Sequence, residues 1–106
     1  MFDIRVQQWD DHISAWVTSK DGKSSCRIQV YDYEPTVAYI SDLFVDPNQR
    51  CNGIGSAIMN YCEDRARFWG CTKITLKSET NDFTRDWYKK IGYNEVDTHV
   101  WFEKII

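Results

Sequence analysis

The sequence predicts a mixed α/β domain, α+β in class, with a mostly antiparallel sheet and one βαβ unit. Three observations support this prediction. Apolar residues alternate with polar ones through most of the first 45 residues, as in half-buried strands. A helical stripe of apolar residues follows over 54–69, and a short alternating segment over 73–77 comes after it. With 106 residues, of which 42% are hydrophobic, we expect one domain spanning 1–106.

The first 45 residues are predicted to form an antiparallel meander without a helix. Its strands cover 3–8, 12–19, 26–31 and 37–45. Trp9-Asp10-Asp11 separates the first two strands, Asp21-Gly22 is a typical hairpin turn, and Tyr33-Glu34-Pro35-Thr36 turns before the fourth.

The fourth strand is predicted to end at Asp46-Pro47-Asn48, because proline fixes its own φ and disfavours helix at the residue before it. The first helix then runs from Ile54 to Trp69, with Gly70 placed to end it. The strand over 73–77 returns beside the fourth strand, which completes the βαβ unit.

The last third of the chain is predicted to hold a short second helix and a final strand or hairpin. Residues 78–82 break the preceding strand and cap the helix. Phe83, Trp87, Tyr88 and Ile91 have helical spacing, and Gly92 ends it. The final strand or hairpin covers 93–106.

Two glycines, Gly53 and Gly55, stand where the first helix begins. They remove side chains from a turn whose N–H groups have no intrahelical partners and whose dipole is positive. A phosphate or pyrophosphate can lie close to such a helix start, and Arg50 is placed to add a charge-assisted contact. Alternatively the glycines only allow a tight turn, because short glycine motifs often match by chance.

Two nucleotide-binding motifs fit this loop poorly. A Walker A loop ends in Gly-Lys-Ser/Thr, but here Ser56 follows Gly55 directly and the lysine is missing. A dinucleotide fingerprint needs a third glycine where Ile58 stands, and its glycines follow the strand directly.

Composition excludes several classes of protein. Thirteen basic and sixteen acidic residues give a net charge of −3 with no basic block, so we expect no nucleic-acid partner. The N-terminus lacks a leader pattern, and no apolar run approaches the ~20 residues of a membrane span, so we expect a soluble, cytoplasmic protein without membrane contact. The four cysteines form no C-x-x-C pair and the two histidines lie far apart, so we expect no metal site.

Two sequence strings resemble one family. Val45-x-Pro47-x-x-Arg50-x-x-Gly53-Ile54-Gly55, between a strand and a helix, resembles the acyl-CoA pyrophosphate loop of the GNAT superfamily of N-acetyltransferases. Asn81-x-x-Thr84-x-x-Trp87-Tyr88-x-x-x-Gly92-Tyr93 is similar to the family segment N-x-x-A-x-x-F/Y-Y-x-x-x-G-F/Y, although threonine replaces alanine and Trp87 is bulkier than usual.

The resemblance covers about residues 37–106 and implies a GNAT-like fold with an abbreviated N-terminal half. The family inserts one or two helices between its first two strands, where they wall the acceptor site. Trp9-Asp10-Asp11 leaves no room for them, so we expect an abbreviated, open acceptor side.

The resemblance also implies acetyl-CoA (coenzyme A) as the cofactor. Its pyrophosphate would lie over the glycine loop, and its pantetheine arm would pair with the backbone of 43–45 where two strands separate. The cofactor-binding residues implied in this way are Leu43, Phe44, Val45, Arg50, Cys51, Asn52, Gly53, Ile54, Gly55, Ser56, Asn81 and Tyr88.

By the same resemblance, Tyr88 is the general acid that protonates the leaving thiolate after direct attack by an amine. An amine with a pKa near ~10 must lose a proton first, and Asp42 and Glu79 are the candidate bases, with Ser41 a weaker choice that would position water. A plain structural interpretation stays open for each: a core aromatic for Tyr88, a helix cap for Asn81, and surface carboxylates for the two acids. Cys51 at a helix start could act as a nucleophile, but no histidine stands near it in sequence.

These residues leave two functions open. The first is an N-acetyltransferase acting on a primary amine, either a small molecule or an exposed amine of a peptide or protein. The alternative is a non-catalytic acyl-CoA-binding or interaction module that keeps the cofactor loop. A surface carrying Trp9 and Trp16 also suggests a possible homodimer.

Overall fold

The structure, a computed structural model, describes residues 2–50, 52–96 and 100–106. The predicted fold class is confirmed: a mostly antiparallel seven-stranded sheet carries two helices. The elements in chain order are β1 (Phe2–Gln8), β2 (His12–Ser19), β3 (Ser25–Tyr31), β4 (Val37–Phe44), α1 (Ile54–Phe68), β5 (Lys73–Lys77), α2 (Asp82–Lys90), β6 (Asn94–Glu95) and β7 (Trp101–Ile105). A 3-10 turn, Pro47–Gln49, lies between β4 and α1.

The strands lie in the order β1-β2-β3-β4-β5-β7-β6. Only β4 and β5 pair in parallel, with Val37 opposite Lys73 and Ile40 opposite Leu76, so β4, α1 and β5 form the predicted βαβ unit. The final segment is a hairpin whose second strand, β7, lies between β5 and β6. Residues 97–99, within that segment, lie outside the described residues.

Both helices cover the same face of the sheet. Ile58, Met59 and Cys62 of α1 are buried against strand residues such as Ile28 and Ile74. The opposite face is more polar, because residues of the other parity, such as Arg5, Ser14 and Gln29, lie there. In the described residues, both helices follow residue 53, so the meander carries no helix, as predicted.

One buried ion pair joins α1 to the C-terminal hairpin. The Glu63 carboxylate, 4% exposed, accepts hydrogen bonds from the Tyr93 hydroxyl at 3.0 Å and from Lys104 Nζ at 3.1 Å. Lys104 Nζ also donates to the Ile91 carbonyl at 3.3 Å, at the end of α2. Burial, followed by the charge of Glu63, raises the pKa of Tyr93 far above its usual value. Three elements therefore meet at one carboxylate.

No helix in the described ranges has both the length and the apolar character needed to span a membrane. Cys26, Cys62 and Cys71 are free thiols, and all three are buried. Among residues 2–50, 52–96 and 100–106, no cluster of three or more potential metal-ligating side chains occurs.

Candidate active site

A β-bulge near the end of β4 opens a gap in the sheet. Ser41 pairs with Arg27 and Phe44 pairs with Ser25, so the two residues between them on β4 face one residue on β3. Asp42, at the bulge, has a left-handed backbone with φ of 56°, which aspartate tolerates better than most side chains. The parallel pairing with β5 stops at Ile40, before the bulge. The end of β4 therefore separates from β5.

A cleft of about 640 Å³ begins at this gap. Its walls come from the end of β4, the start of α1, the end of β5 and the start of α2, because the carboxyl ends of parallel strands meet at one edge of a sheet. The lining residues are Ile40, Ser41, Asp42, Leu43, Val45, Gln49, Arg50, Gly53, Gly55, Ser56, Lys77, Glu79, Asn81, Phe83, Thr84, Trp87 and Tyr88.

The start of α1 faces this cleft without a side-chain cap from any described residue. Its first turn holds no acidic residue, and the Ala57 N–H donates to the Gly53 carbonyl at 3.0 Å. The N–H groups of residues 54–56 precede the first helical hydrogen bond, so they are available to an anion. Arg50 is exposed beside them, and its Nε donates to the Val45 carbonyl at 3.3 Å.

The two glycines serve different local needs. Gly53 has φ of 78°, and a Cβ added there would meet no atom of the described residues within 4 Å. A Cβ on Gly55 would lie 3.1 Å from Trp87 Cζ2 and 3.4 Å from Val45 Cγ2. Gly53 therefore allows the turn and leaves the helix start bare, whereas Gly55 allows α1 to approach α2.

A hydrogen-bond clamp holds the loop before α1 against the β2–β3 hairpin. The fully buried Ser24 donates through Oγ to Gln49 Oε1 at 2.9 Å. Ser24 Oγ also accepts a hydrogen bond from the Asp46 N–H at 3.1 Å. Gln49 Nε2 donates to the Asp21 carboxylate. Residues more than twenty positions apart in sequence thus position the loop that leads to the bare helix start.

We expect Ser24→Ala to weaken both the fold and anion binding at the start of α1. The change leaves the Asp46 N–H and Gln49 Oε1 without their partner, and an unsatisfied buried polar group costs about 1–3 kcal/mol. Urea unfolding would measure the loss of stability, and calorimetric titration with inorganic pyrophosphate would measure the affinity for an anion. Ser14→Ala, at another buried serine, is the control for a serine lost elsewhere, and an equal loss of affinity there would contradict the clamp.

Tyr88 lies at the inner wall of the cleft. Its ring is 6% exposed and packs against Phe102, with centroids 5.8 Å apart, and against Tyr93 at 6.0 Å. Burial raises the pKa of Tyr88 to about 12, with smaller contributions from Cys26 and the charge of Glu79. Within the described part of the chain, its hydroxyl makes no hydrogen bond. Tyr88 can therefore offer a proton to a group bound in the cleft at neutral pH.

The two candidate bases differ in their surroundings. The Asn81 Nδ2 donates to Glu79 Oε2 at 3.2 Å, and Asn81 Oδ1 accepts from the Thr84 N–H at 2.8 Å, which caps α2. The Asp42 side chain is 59% exposed, and its Oδ2 lies 4.0 Å from Arg27 Nη1. Both carboxylates line the cleft, but only the charge of Glu79 contributes to the raised pKa of Tyr88.

Comparison with protein families gives a direct match. The model of the acetyltransferase (GNAT) family matches residues 2–93. The chain belongs to the GNAT acetyltransferase family. The match includes most of the first 36 residues, so the shortened N-terminal half falls within the family.

Solved structures of GNAT acetyltransferases share the fold. An acetyltransferase from Bacillus cereus is 29% identical, with a TM-score of 0.70, 91% of this chain and 74% of that chain covered. A candidate acyl-CoA N-acyltransferase from Klebsiella pneumoniae is 15% identical, with a TM-score of 0.73 over 99% of this chain and 97% of that one. PaiA N-acetyltransferase from Thermoplasma acidophilum, in complex with coenzyme A, is 16% identical, with a TM-score of 0.72. The match covers 91% of this chain and 62% of that chain. Among curated proteins, no sequence matches significantly.

Most of the residues that the GNAT resemblance implied come together in the cleft. Those that line it are Asp42, Leu43, Val45, Arg50, Gly53, Gly55, Ser56, Glu79, Asn81 and Tyr88. Phe44, Asn52 and Ile54 are not among the lining residues, and Cys51 lies outside the described residues. What each of these positions binds stays a prediction.

Sequence reasoning missed several cleft residues of this GNAT domain. Lys77 ends β5 beside the gap, and Gln49 belongs to the clamp. Phe83, Thr84 and Trp87 are on α2 with Tyr88. Thr84 and Trp87 stand in the second GNAT-like string and Phe83 shares the helical spacing, but none of the three was predicted as a site residue. No local pattern marks Gln49 or Lys77, because their place depends on contacts between distant strands.

Proposed function

We propose that this GNAT protein is an acetyl-CoA-dependent N-acetyltransferase that acts on a primary amine. One observation carries the proposal: the bare start of α1, the end of β4 that is unpaired toward β5, and Tyr88 all line one cleft. An anion site, an open strand edge and a proton donor are what a long phosphorylated thioester requires.

The described residues fit coenzyme A. The N–H groups of 54–56 and the Arg50 guanidinium would hold the pyrophosphate, because both offer donors and positive charge. The open edge of β4 at Leu43 and Val45 would pair with the amides of the pantetheine arm. Bound acetyl-CoA would supply an acetyl group activated as a thioester. The fit agrees with the coenzyme A complex of the Thermoplasma acidophilum relative.

Tyr88 is the proposed general acid. Since its pKa is about 12, it carries its proton at neutral pH and can donate that proton to the sulfur as the C–S bond breaks. Backbone N–H groups near residues 44–45 are the proposed donors to the oxyanion.

Glu79 is the better placed of the two candidate bases. Asn81 orients the Glu79 carboxylate through a hydrogen bond, and the charge of Glu79 contributes to the raised pKa of Tyr88. The amine and the sulfur would therefore meet between Glu79 and Tyr88. Asp42 sits at the bulge with an exposed side chain, which suits a role in attracting a cationic amine. We expect Glu79→Gln to lower kcat about a hundredfold, and more than Asp42→Asn, when both are assayed across pH.

The acceptor proposed here is an exposed amine. In the described residues no helix stands between β1 and β2, so the acceptor side is open to a peptide or protein amine as well as to a small molecule.

Buried free thiols agree with the reducing cytoplasm as the proposed location. The possible homodimer stays a prediction that light scattering would test.

The same open side favours a second candidate, a non-catalytic acyl-CoA-binding module. The absent helices are the specific observation behind it. Wild-type protein that binds acetyl-CoA but releases no thiol with any amine in a broad panel would favour the module over the enzyme.

Calorimetric titration with acetyl-CoA tests the cofactor site. We expect binding by the wild type, and Gly53→Glu to weaken it about tenfold or more, because a carboxylate would stand at the helix start that attracts phosphate. Gly70→Glu is the matched control: Gly70 also has a positive φ, of 87°, and open space, but it lies at the other end of α1. Equal affinities for the two variants would contradict the site.

A further inference from the structure

A second surface lies at the end of β4 opposite the cleft. β4 begins at Val37, beside the turn that follows β3, and it ends at the cleft. Around its beginning, the β1–β2 and β3–β4 turns lie together, because the Asp32 N–H donates to the Asp11 carbonyl at 2.9 Å. We call the five aromatic side chains there the ladder: Trp9, His12, Tyr31, Tyr33 and Tyr39.

The ladder is a continuous series of ring contacts. Trp9 stacks on His12 with centroids 5.9 Å apart, and His12 lies 5.1 Å from Tyr31. Tyr31 in turn contacts Tyr33 at 5.4 Å and Tyr39 at 5.9 Å. Trp9 is 48% exposed and Tyr33 is 78% exposed, so both ends of the series face solvent.

Hydrogen bonds hold the ladder in place. Trp9 Nε1 donates to Ser14 Oγ at 3.1 Å, and the Tyr39 hydroxyl donates to Glu34 Oε1. His12 Nδ1 lies 2.6 Å from Asp11 Oδ1. The rings are therefore ordered before any partner arrives, which lowers the entropy cost of binding.

Acidic residues are the charged residues of the two turns that carry the ladder. Asp10, Asp11, Asp32 and Glu34 stand in its two turns, and neither 9–12 nor 31–39 contains lysine or arginine. Elsewhere in the described chain, acids such as Asp3, Asp64 and Glu103 pair with a lysine or arginine, but these four have no such partner among the described residues. The surface combines aromatic faces with four carboxylates, of which one, Asp11, also contacts the His12 ring.

We propose that the ladder docks an arginine-rich segment of a protein partner. A guanidinium stacks on aromatic faces and at the same time donates hydrogen bonds to carboxylates, so its chemistry complements both features. A second copy of this chain fits poorly, because two ladders facing each other would bring like charges together. The inference does not depend on the proposed function, since the ladder lies away from the cleft.

Fluorescence titration with a short peptide of alternating arginine and glycine tests the proposal. The matched glutamate peptide is the first control. We expect saturable binding of the arginine peptide that weakens with added salt. The variant Asp10→Asn/Asp11→Asn/Asp32→Asn should weaken it about tenfold, and Tyr33→Ala should weaken it about threefold.

The variant Asp3→Asn/Asp64→Asn/Asp86→Asn separates local recognition from overall charge. It has the same net charge as the ladder variant, but its three exposed carboxylates lie elsewhere on the surface. Circular dichroism would establish that both variants stay folded. Unchanged binding of the arginine peptide by this control variant supports the proposal. Equal weakening of the two variants, or no binding by the wild type, would overturn it. Self-association of the protein through the ladder would also overturn it.

Discussion

Tyr88→Phe should lower kcat about a hundredfold or more, because general acid catalysis contributes that much when a leaving group needs a proton. The dissociation constant for acetyl-CoA should stay the same, since the hydroxyl makes no hydrogen bond with any described residue and the ring is retained. Single-turnover thiol release with a reactive amine would measure the rate, and calorimetry the affinity.

Tyr61→Phe is the matched control for this prediction. Tyr61 contacts Phe2 on the other side of α1 and does not line the cleft. A Tyr88→Phe variant that turns over at the wild-type rate would remove Tyr88 as the acid and leave it as a core aromatic.

The pH dependence of stability follows from the same tyrosine. The pKa of Tyr88 is about 12 in the fold and 10.0 in its absence, so the folded state favours the neutral phenol. Its contribution to stability is fully present below pH 10 and is lost as the pH rises towards 12. Urea unfolding at alkaline pH should show a shallower loss of stability for Tyr88→Phe than for the wild type.

Lys104→Met should destabilise the fold by about 3 kcal/mol, because it leaves the buried Glu63 carboxylate without its cationic partner. The expected loss is at the lower end of the range for buried pairs, since the Lys104 side chain is 26% exposed. Urea unfolding at neutral pH would measure it.

The double variant Glu63→Gln/Lys104→Met tests the cause. The glutamine keeps an acceptor for the Tyr93 hydroxyl and removes the charge, so much of the lost stability should return. If the double variant is less stable than Lys104→Met, then lost packing of the lysine stem, rather than an unpaired charge, explains the single variant.

Local patterns were enough to predict the elements. Strand alternation placed the meander, and helical spacing placed α1 and α2 within a residue or two of their observed ends. Gly70 and Gly92 do end their helices with positive φ, since only glycine adopts that conformation without strain. These signals are strong because each depends on neighbours in sequence.

The cleft was predictable in part. Two motifs marked the loop at Gly53 and the helix at Tyr88, and the parallel return of β5 implied that both would meet at one edge of the sheet. The bulge at Asp42 carries no sequence signal that separates it from a regular strand residue, although it opens the gap. The placement of β7 between β5 and β6 was equally hidden, because a hairpin can join either edge.

The sequence by itself therefore determined the mixed fold class, the order of elements, the bare glycine start of α1 and the family. Only the tertiary structure decided how β4 separates from β5, that Ser24 clamps the loop before α1, that Glu63 meets Lys104, and that two distant turns assemble the ladder. The physical reason is separation along the chain: backbone propensities and periodicity act between neighbours, whereas these contacts join residues that meet only after the sheet has formed.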